Sequence, residues 1–201
     1  EYNYKLWLGH GITTIRGVPF GEMDWSLSER DRSARNEITA PRMVSFHVPG
    51  SGREWAGQQI LTPDDAREWV RWAAEKGIDG LKLDAYRPEI MKALIDEAGR
   101  HGLGSTAHLR QTGVARMNAL DAARLGLGTV THFYGIFEAL YDDHDVQPWP
   151  AEMDYSDEQL RFGQVARQWN LIHPQGSETW NALIDEFLDL EVILDPTMTA
   201  Y

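Results

Sequence analysis

The sequence contains no cysteine. Disulfides, cysteine-based zinc sites and a thiol nucleophile are therefore excluded, and any metal must be held by histidine, carboxylate or a modified lysine. Long apolar runs are also missing: no stretch approaches the roughly 18 consecutive apolar residues that a membrane-spanning helix needs. Basic charge is scarce, with 19 Lys and Arg against 31 Asp and Glu and a formal charge of −12. So acidic a balance argues against nucleic acid or an anionic membrane as partner, because both are bound through clustered Lys and Arg. Its simplest meaning is solubility. The first residues, Glu1-Tyr2-Asn3-Tyr4-Lys5, lack the basic start and apolar core of a signal peptide, so no targeting segment is visible and the compartment stays open. A dinucleotide fingerprint is absent as well, since Gly17-Val18-Pro19-Phe20-Gly21 after the first strand candidate does not fit G-x-G-x-x-G.

What is there is ordinary globular material. The 201 residues are 42% hydrophobic and 25% charged, enough for one domain with a real core. The eight Trp are numerous, and Trp69, Trp72, Trp169 and Trp180 fall in helix-like segments where outer-layer packing is the default role.

Along the chain, Lys5 to His10 reads as a helix tail. Ile12–Arg16 and Arg42–His47 read as strands, the first closed by Gly17 and Pro19, and Ser26–Asn36 as a weak surface helix or loop. Thr62-Pro63-Asp64-Asp65 is a helix start with an N-cap, a first-position proline and an acidic first turn; that helix stops at Gly77. Strand Gly80–Asp84, a helix from Pro88 to about Gly102, strand Ser105–Leu109, a helix from Thr112 to Leu125 and strand Thr129–Phe133 follow. Residues 141–155 read as an excursion at the mouth of the fold. Helices Ser156–Trp169 and Ser177–Leu190 then precede a strand from Glu191 to Thr197.

Six strands alternating with helices indicate an α/β fold with a parallel sheet. The pattern predicts a (β/α)8 TIM-type barrel that is two units short, with both ends of the 201 residues reading as cut. The most informative residues sit near the C-terminal ends of three successive strands: Lys82, His108 and His132. In a parallel barrel those ends converge on one mouth, where chemistry is done. Each residue has a plainer reading. A lysine in an apolar strand pairs with an acid such as Asp84 or snorkels to solvent, and a single strand histidine is usually a satisfied core residue. Two imidazoles at matching positions beside a lysine favour metal ligation. His47, which ends its strand, and Tyr86, Arg87, Arg110 and Tyr134, which follow the ligand-bearing strands, are candidate substrate contacts, with structural loop roles as the alternative. His10 and His101 read as helix-terminus residues, and His144 and His173 as loop residues.

Gly11-Ile12-Thr13-Thr14-Ile15-Arg16 resembles the "G-V-T-T-V-R" strand of the amidohydrolase superfamily, in its imidazolonepropionase-like and prolidase-like branch. Gly77–Lys82, Glu97-Ala98 through Ala107-His108, Gly128–His132 and Asp195-Pro196-Thr197 resemble the same branch in the same order. The resemblance implies a metal-dependent hydrolase of which strands two to seven are present. Lys82 then lies on strand four, often carbamylated in the family, with His108 on five and His132 on six. It implies one or two Zn2+ held by Lys82, His108 and His132. The expected function is hydrolysis of an amide-type C–N bond in a small peptide, cyclic amide or N-acyl amino acid by metal-activated water. His47, Tyr86, Arg110 and Tyr134 are its candidate substrate contacts. The family's His-x-His pair and its strand-eight Asp, the general base, are not in this sequence, so the isolated chain is expected to be inactive. Two alternatives stay open: a barrel aldolase with Lys82 as Schiff-base lysine, and an inactive barrel serving as a binding module. The partner expected is a small molecule or short peptide, and self-association into a homo-oligomer is left open.

Overall fold

The computed structural model describes residues 1–17, 22–141 and 147–197, apart from the side chains of residues 158 and 162. The stop expected at Pro19 and the loop position of His144 lie outside the described residues. The fold is α/β. Helix α1 (Tyr2–Gly9) is followed by β1 (Thr14–Gly17), α2 (Met23–Ala34), β2 (Arg42–His47), α3 (Pro63–Lys76), β3 (Gly80–Leu83), α4 (Pro88–Arg100) and β4 (Gly104–Ala107). Then come α5 (Ala119–Arg124), β5 (Thr129–Thr131), α6 (Glu158–Arg167), α7 (Glu178–Asp189) and β6 (Ile193–Asp195). The strands are neighbours in chain order, β1-β2-β3-β4-β5-β6. A doubly wound sheet reverses its order at a switch point, whereas sequential parallel order is the topology of a (β/α) barrel.

Two compact units divide the chain, Glu1–Leu83 with Lys92–Ser105, and Asp84–Met91 with Thr106–Tyr201. In the first, β1 pairs in parallel with β2, and β2 with β3 through Phe46↔Gly80 and His47↔Leu81. Gly80 has no room for a side chain: a Cβ there would lie 2.5 Å from the Phe46 ring and 2.7 Å from the Gly104 carbonyl. The first unit's core includes Trp69, which is 0% exposed and donates its indole N–H to the Ser51 carbonyl at 2.9 Å. In the second unit, β4 pairs with β5 and β5 with β6, again in parallel.

Helix α3 begins as its sequence dictates. The Thr62 hydroxyl accepts from the Asp65 amide at 3.1 Å, and the Asp65 carboxylate accepts from the Thr62 amide at 2.8 Å. Gly77 ends the helix in the left-handed conformation that other residues resist, at φ 85°. Thr62→Ala is expected to lower stability by about 1 kcal/mol, measured as a shift of the urea unfolding midpoint; an unchanged midpoint would show that the cap contributes nothing.

Where sequence pattern and fold differ, local chemistry explains the difference. The helix expected over 112–125 is confined to Ala119–Arg124, because Asn118 and Asp121 form a second reciprocal cap and set its start there. The residues before it are turns in which Gly113 approaches Ala85 so closely that an added Cβ would sit 2.2 Å from the alanine's own. Helix α2 is firmer than its polar sequence suggests, since Met23 and Leu27 are buried and the Ser33 hydroxyl donates to the Pro41 carbonyl at 2.8 Å. Of the tryptophans expected to pack in an outer layer, Trp169 is 58% exposed, although its ring touches Phe137 and Trp180. Among the described residues, no helix is long and apolar enough to cross a membrane.

Candidate functional site

Strands β3, β4 and β5 are shorter than their sequence patterns, so Asp84, His108 and His132 stand just beyond them rather than inside. In the second unit, the register Thr106↔Thr129 and Ala107↔Val130 makes Thr131 the residue level with His108. The two histidines are thus offset by one residue rather than matched. Strand side chains alternate between faces, so a continued strand would send His132 to the face of the fully buried Val130, away from His108. The backbone prevents that. His132 adopts φ 67°, a left-handed conformation that breaks the alternation. Its ring meets that of His108 edge to face, with centroids 4.9 Å apart.

Tyr134, only 3% exposed, packs against both imidazoles, at 5.1 Å from His108 and 6.2 Å from His132. The loop that carries it turns at Gly135, φ 92°, where a Cβ would lie 2.6 Å from the Ala119 backbone nitrogen and 2.8 Å from Leu109. Below the histidines, the hydroxyls of Thr106 and Thr131 are hydrogen-bonded at 2.5 Å.

The His132 ring is also tied to the segment after β6. Its Nδ1 lies 2.7 Å from the Thr197 hydroxyl, and its backbone N–H donates to the Asp195 carbonyl at 2.8 Å. Thr197, too, is left-handed, at φ 56°.

Two imidazoles on one tetrahedral cation, each about 2 Å from it, have ring centroids about 5 Å apart. The His108–His132 pair has that separation, and a neutral imidazole is the donor such a cation prefers. Among the described residues no group of three or more His, Asp or Glu is placed to hold a metal ion. The two imidazoles thus form a donor pair with the separation that a shared cation requires.

A second group forms around Asp84. Its carboxylate pairs with the Arg110 guanidinium at 2.5 Å and accepts from the Ala85 amide at 2.7 Å. Arg110 is left-handed at φ 47° and half-exposed. Burial, reinforced by the Asp84 charge, pushes the Tyr86 hydroxyl up to about 12. Tyr86 therefore stays a neutral hydrogen-bonding phenol at physiological pH.

Lys82 and His47 belong to the first unit. Lys82 alternates with the buried Leu81 and Leu83 and so shares the face of Gly80 and Phe46. His47 is level with Leu81, on the opposite face, and is 0% exposed. Its Nε2 lies 3.0 Å from the Ser45 hydroxyl and 3.2 Å from that of Ser26 on α2. The Ser26 hydroxyl is also within donating distance of the Met23 carbonyl, at 3.0 Å. The buried Nδ1 of His47 has no hydrogen-bond partner. Protonating Nδ1 would bury an unpaired N–H. Burial, with Arg30 nearby, lowers this histidine to about 4, against an opposing pull from Asp79. His47 thus links β2 to α2 through Ser26.

The sequence reading singled out His108, His132, Tyr134, Tyr86 and Arg110, and the second unit brings the first three together and the last two together. It missed Thr197 as the partner of His132 and Asp84 as the partner of Arg110. A hydroxyl directly after a strand end in Asp195-Pro196-Thr197 was the available signal for the first. Two cavities of about 610 and 500 Å3 lie elsewhere, one along Thr13, Arg30 and Arg42, the other along Trp149, Gln164 and Arg167. Neither is lined by a predicted site residue.

No family model matches the chain, and neither does any curated protein. Among solved structures, the chain is similar to one described as an amidohydrolase, at 18% identity and TM-score 0.52 over 95% of this chain and 55% of that one. It is similar to a second, uncharacterized protein at 18% identity and TM-score 0.50, over 94% of this chain and 54% of that one. The chain therefore spans about half the length of the structures it resembles. At this identity the likeness establishes the fold, an α/β arrangement with a parallel six-stranded sheet consistent with a partial TIM-type barrel.

Proposed function

We propose that this chain is the central part of a hydrolase barrel of the amidohydrolase type, with the six strands as strands two to seven. It acts on an amide-type C–N bond of a small peptide, cyclic amide or N-acyl amino acid. The observation that carries the reading is the His108–His132 pair, 4.9 Å apart and oriented by a left-handed residue at the end of a strand. Non-glycine residues in that conformation cost of order 1–3 kcal/mol and cluster at functional sites. The amidohydrolase among the similar folds supports the same class.

In this reading His108, His132 and Lys82, the last as a carbamate formed with CO2, are the protein's ligands for one or two Zn2+ or a similar divalent ion. When bound, the ion polarises the scissile carbonyl and makes water a better nucleophile near neutral pH. The chain's own residues hold the substrate. Arg110, kept in place by Asp84, offers a guanidinium to a substrate carboxylate, Tyr86 offers a neutral phenol, and Tyr134 closes the apolar side of the imidazole pair. A general-base carboxylate corresponding to the family's strand-eight Asp is not among these residues, so the isolated 201-residue chain should show no turnover.

The test is metal analysis of the full-length protein after exhaustive dialysis, combined with a panel of dipeptides and N-acyl amino acids. Stoichiometric metal together with amide hydrolysis supports the proposal. Metal-free protein that is trapped by borohydride on an aldehyde substrate would replace it with Lys82 Schiff-base chemistry, and neither result would leave a binding module.

A further inference from the structure

We infer that Thr197 is a positioning residue for His132, fixing the imidazole as the Nδ1–H tautomer so that ligation falls to Nε2. The inference rests on the metal-ligand reading of His132 given above. The contact and the two left-handed residues stand independently of that reading, whereas the choice of tautomer follows from it.

Segment 195–197 holds the His132 residue at two points. The Asp195 carbonyl accepts the His132 amide at 2.8 Å, and the Thr197 hydroxyl meets Nδ1 at 2.7 Å. Both residues joined by the side-chain contact are left-handed, at φ 67° and 56°. For a β-branched residue such as threonine that conformation is a genuine outlier. Strain of this kind persists only where the surrounding structure over-determines it. Here the left-handed turn at Thr197 accompanies delivery of a hydroxyl to the imidazole, and the one at His132 accompanies the ring's approach to His108. Pro196, between Asp195 and Thr197, has a fixed φ and restricts the residue before it, which makes the approach of segment 195–197 reproducible.

A hydroxyl can donate or accept, so the contact alone leaves two tautomers. Ligation decides between them. A metal-bound imidazole is neutral, so if Nε2 faces the cation the proton resides on Nδ1 and is donated to the Thr197 oxygen. Ligating histidines ordinarily hand this second N–H to a carboxylate, carbonyl or water, and loss of such a partner costs 10- to 100-fold in metal affinity. In this chain a threonine hydroxyl from the segment after β6 takes that place.

Two variants test the role in the full-length protein. Thr197→Val keeps the β-branched shape and the backbone strain but loses the hydroxyl, whereas Thr197→Ser keeps the hydroxyl. Zn2+ dissociation constants from chelator competition should rise about 10- to 100-fold for the valine variant and stay near wild type for serine. Nitrogen-15 spectra of the imidazoles in metal-free protein give a second readout that a merely structural role would not move. Wild type and Thr197→Ser should show a protonated Nδ1 for His132, and Thr197→Val should show a mixed or reversed tautomer. An Nε2–H tautomer in the wild-type protein, or a valine variant that matches wild type in both measurements, would overturn the inference. If wild type shows the Nδ1–H tautomer and binds no zinc, the metal reading fails and Thr197 remains the residue that orients His132.

Discussion

Replacing His108 or His132 by alanine is expected to strip the full-length protein of divalent metal after dialysis, with zinc affinity falling by well over 100-fold. The comparison that sets this scale is the loss of an outer partner such as Thr197, which leaves every ligand in place and costs 10- to 100-fold. On the proposed reading, removing an imidazole takes away a ligand outright. It also removes one half of an edge-to-face pair with centroids 4.9 Å apart. Turnover of any amide substrate should fall at least as far, because carbonyl polarisation and water activation are lost together. Tyr134→Phe is the control. It keeps a ring against both imidazoles, so metal content should survive while the phenolic oxygen is lost. Full zinc occupancy in both alanine variants would remove these histidines from the ligand set and take the metal-dependent reading with them.

The fold was largely legible because its signals are local. Thr62, Pro63 and Gly77 each have a conformational reason to be where they are, and α3 begins and ends on them. The alternation of Leu81, Lys82 and Leu83 likewise placed Lys82 on its own face. The candidate site was legible in its residues but not in its geometry. Counting strand positions put His108 and His132 level with each other. The true register offsets them by one residue, and they meet only because His132 leaves extended geometry. A left-handed φ at a histidine has no sequence signature comparable to glycine. The surroundings of His47 were not legible for a related reason: it ends a strand, but which face it takes depends on its register against β3. The hydroxyl of Thr197 after a strand end was a signal, but nothing local assigned it to His132, because 65 residues separate the two and only the parallel pairing of β5 with β6 joins them.

His47 should make stability depend on pH below neutrality. Its imidazole is fully buried, is hydrogen-bonded through Nε2 to the Ser26 and Ser45 hydroxyls and has a buried Nδ1 without a partner. Protonation therefore adds a charge and an unpaired N–H donor in a place without solvent, with the Arg30 guanidinium opposing it and the Asp79 carboxylate only partly compensating. The folded value is about 4, against 6.5 for an unperturbed histidine. Between those values the unfolded chain binds the proton and the folded chain does not, so protons favour unfolding. The stability is fully present above pH 6.5, falls as pH drops toward 4, and is lost below that. The integrated effect is about 3 kcal/mol, since each tenfold loss of proton affinity on folding is worth about 1.4 kcal/mol. Carboxylates elsewhere titrate in the lower part of the same range, so the informative quantity is a difference between proteins. Urea unfolding of wild type and His47→Gln at pH 7, 5.5 and 4 should give curves that converge as the pH falls, because the glutamine variant has no imidazole to charge. A constant offset between the two proteins at all three values would mean that His47 is protonated as readily in the folded chain as in the unfolded one, and its burial against α2 would then have no electrostatic consequence.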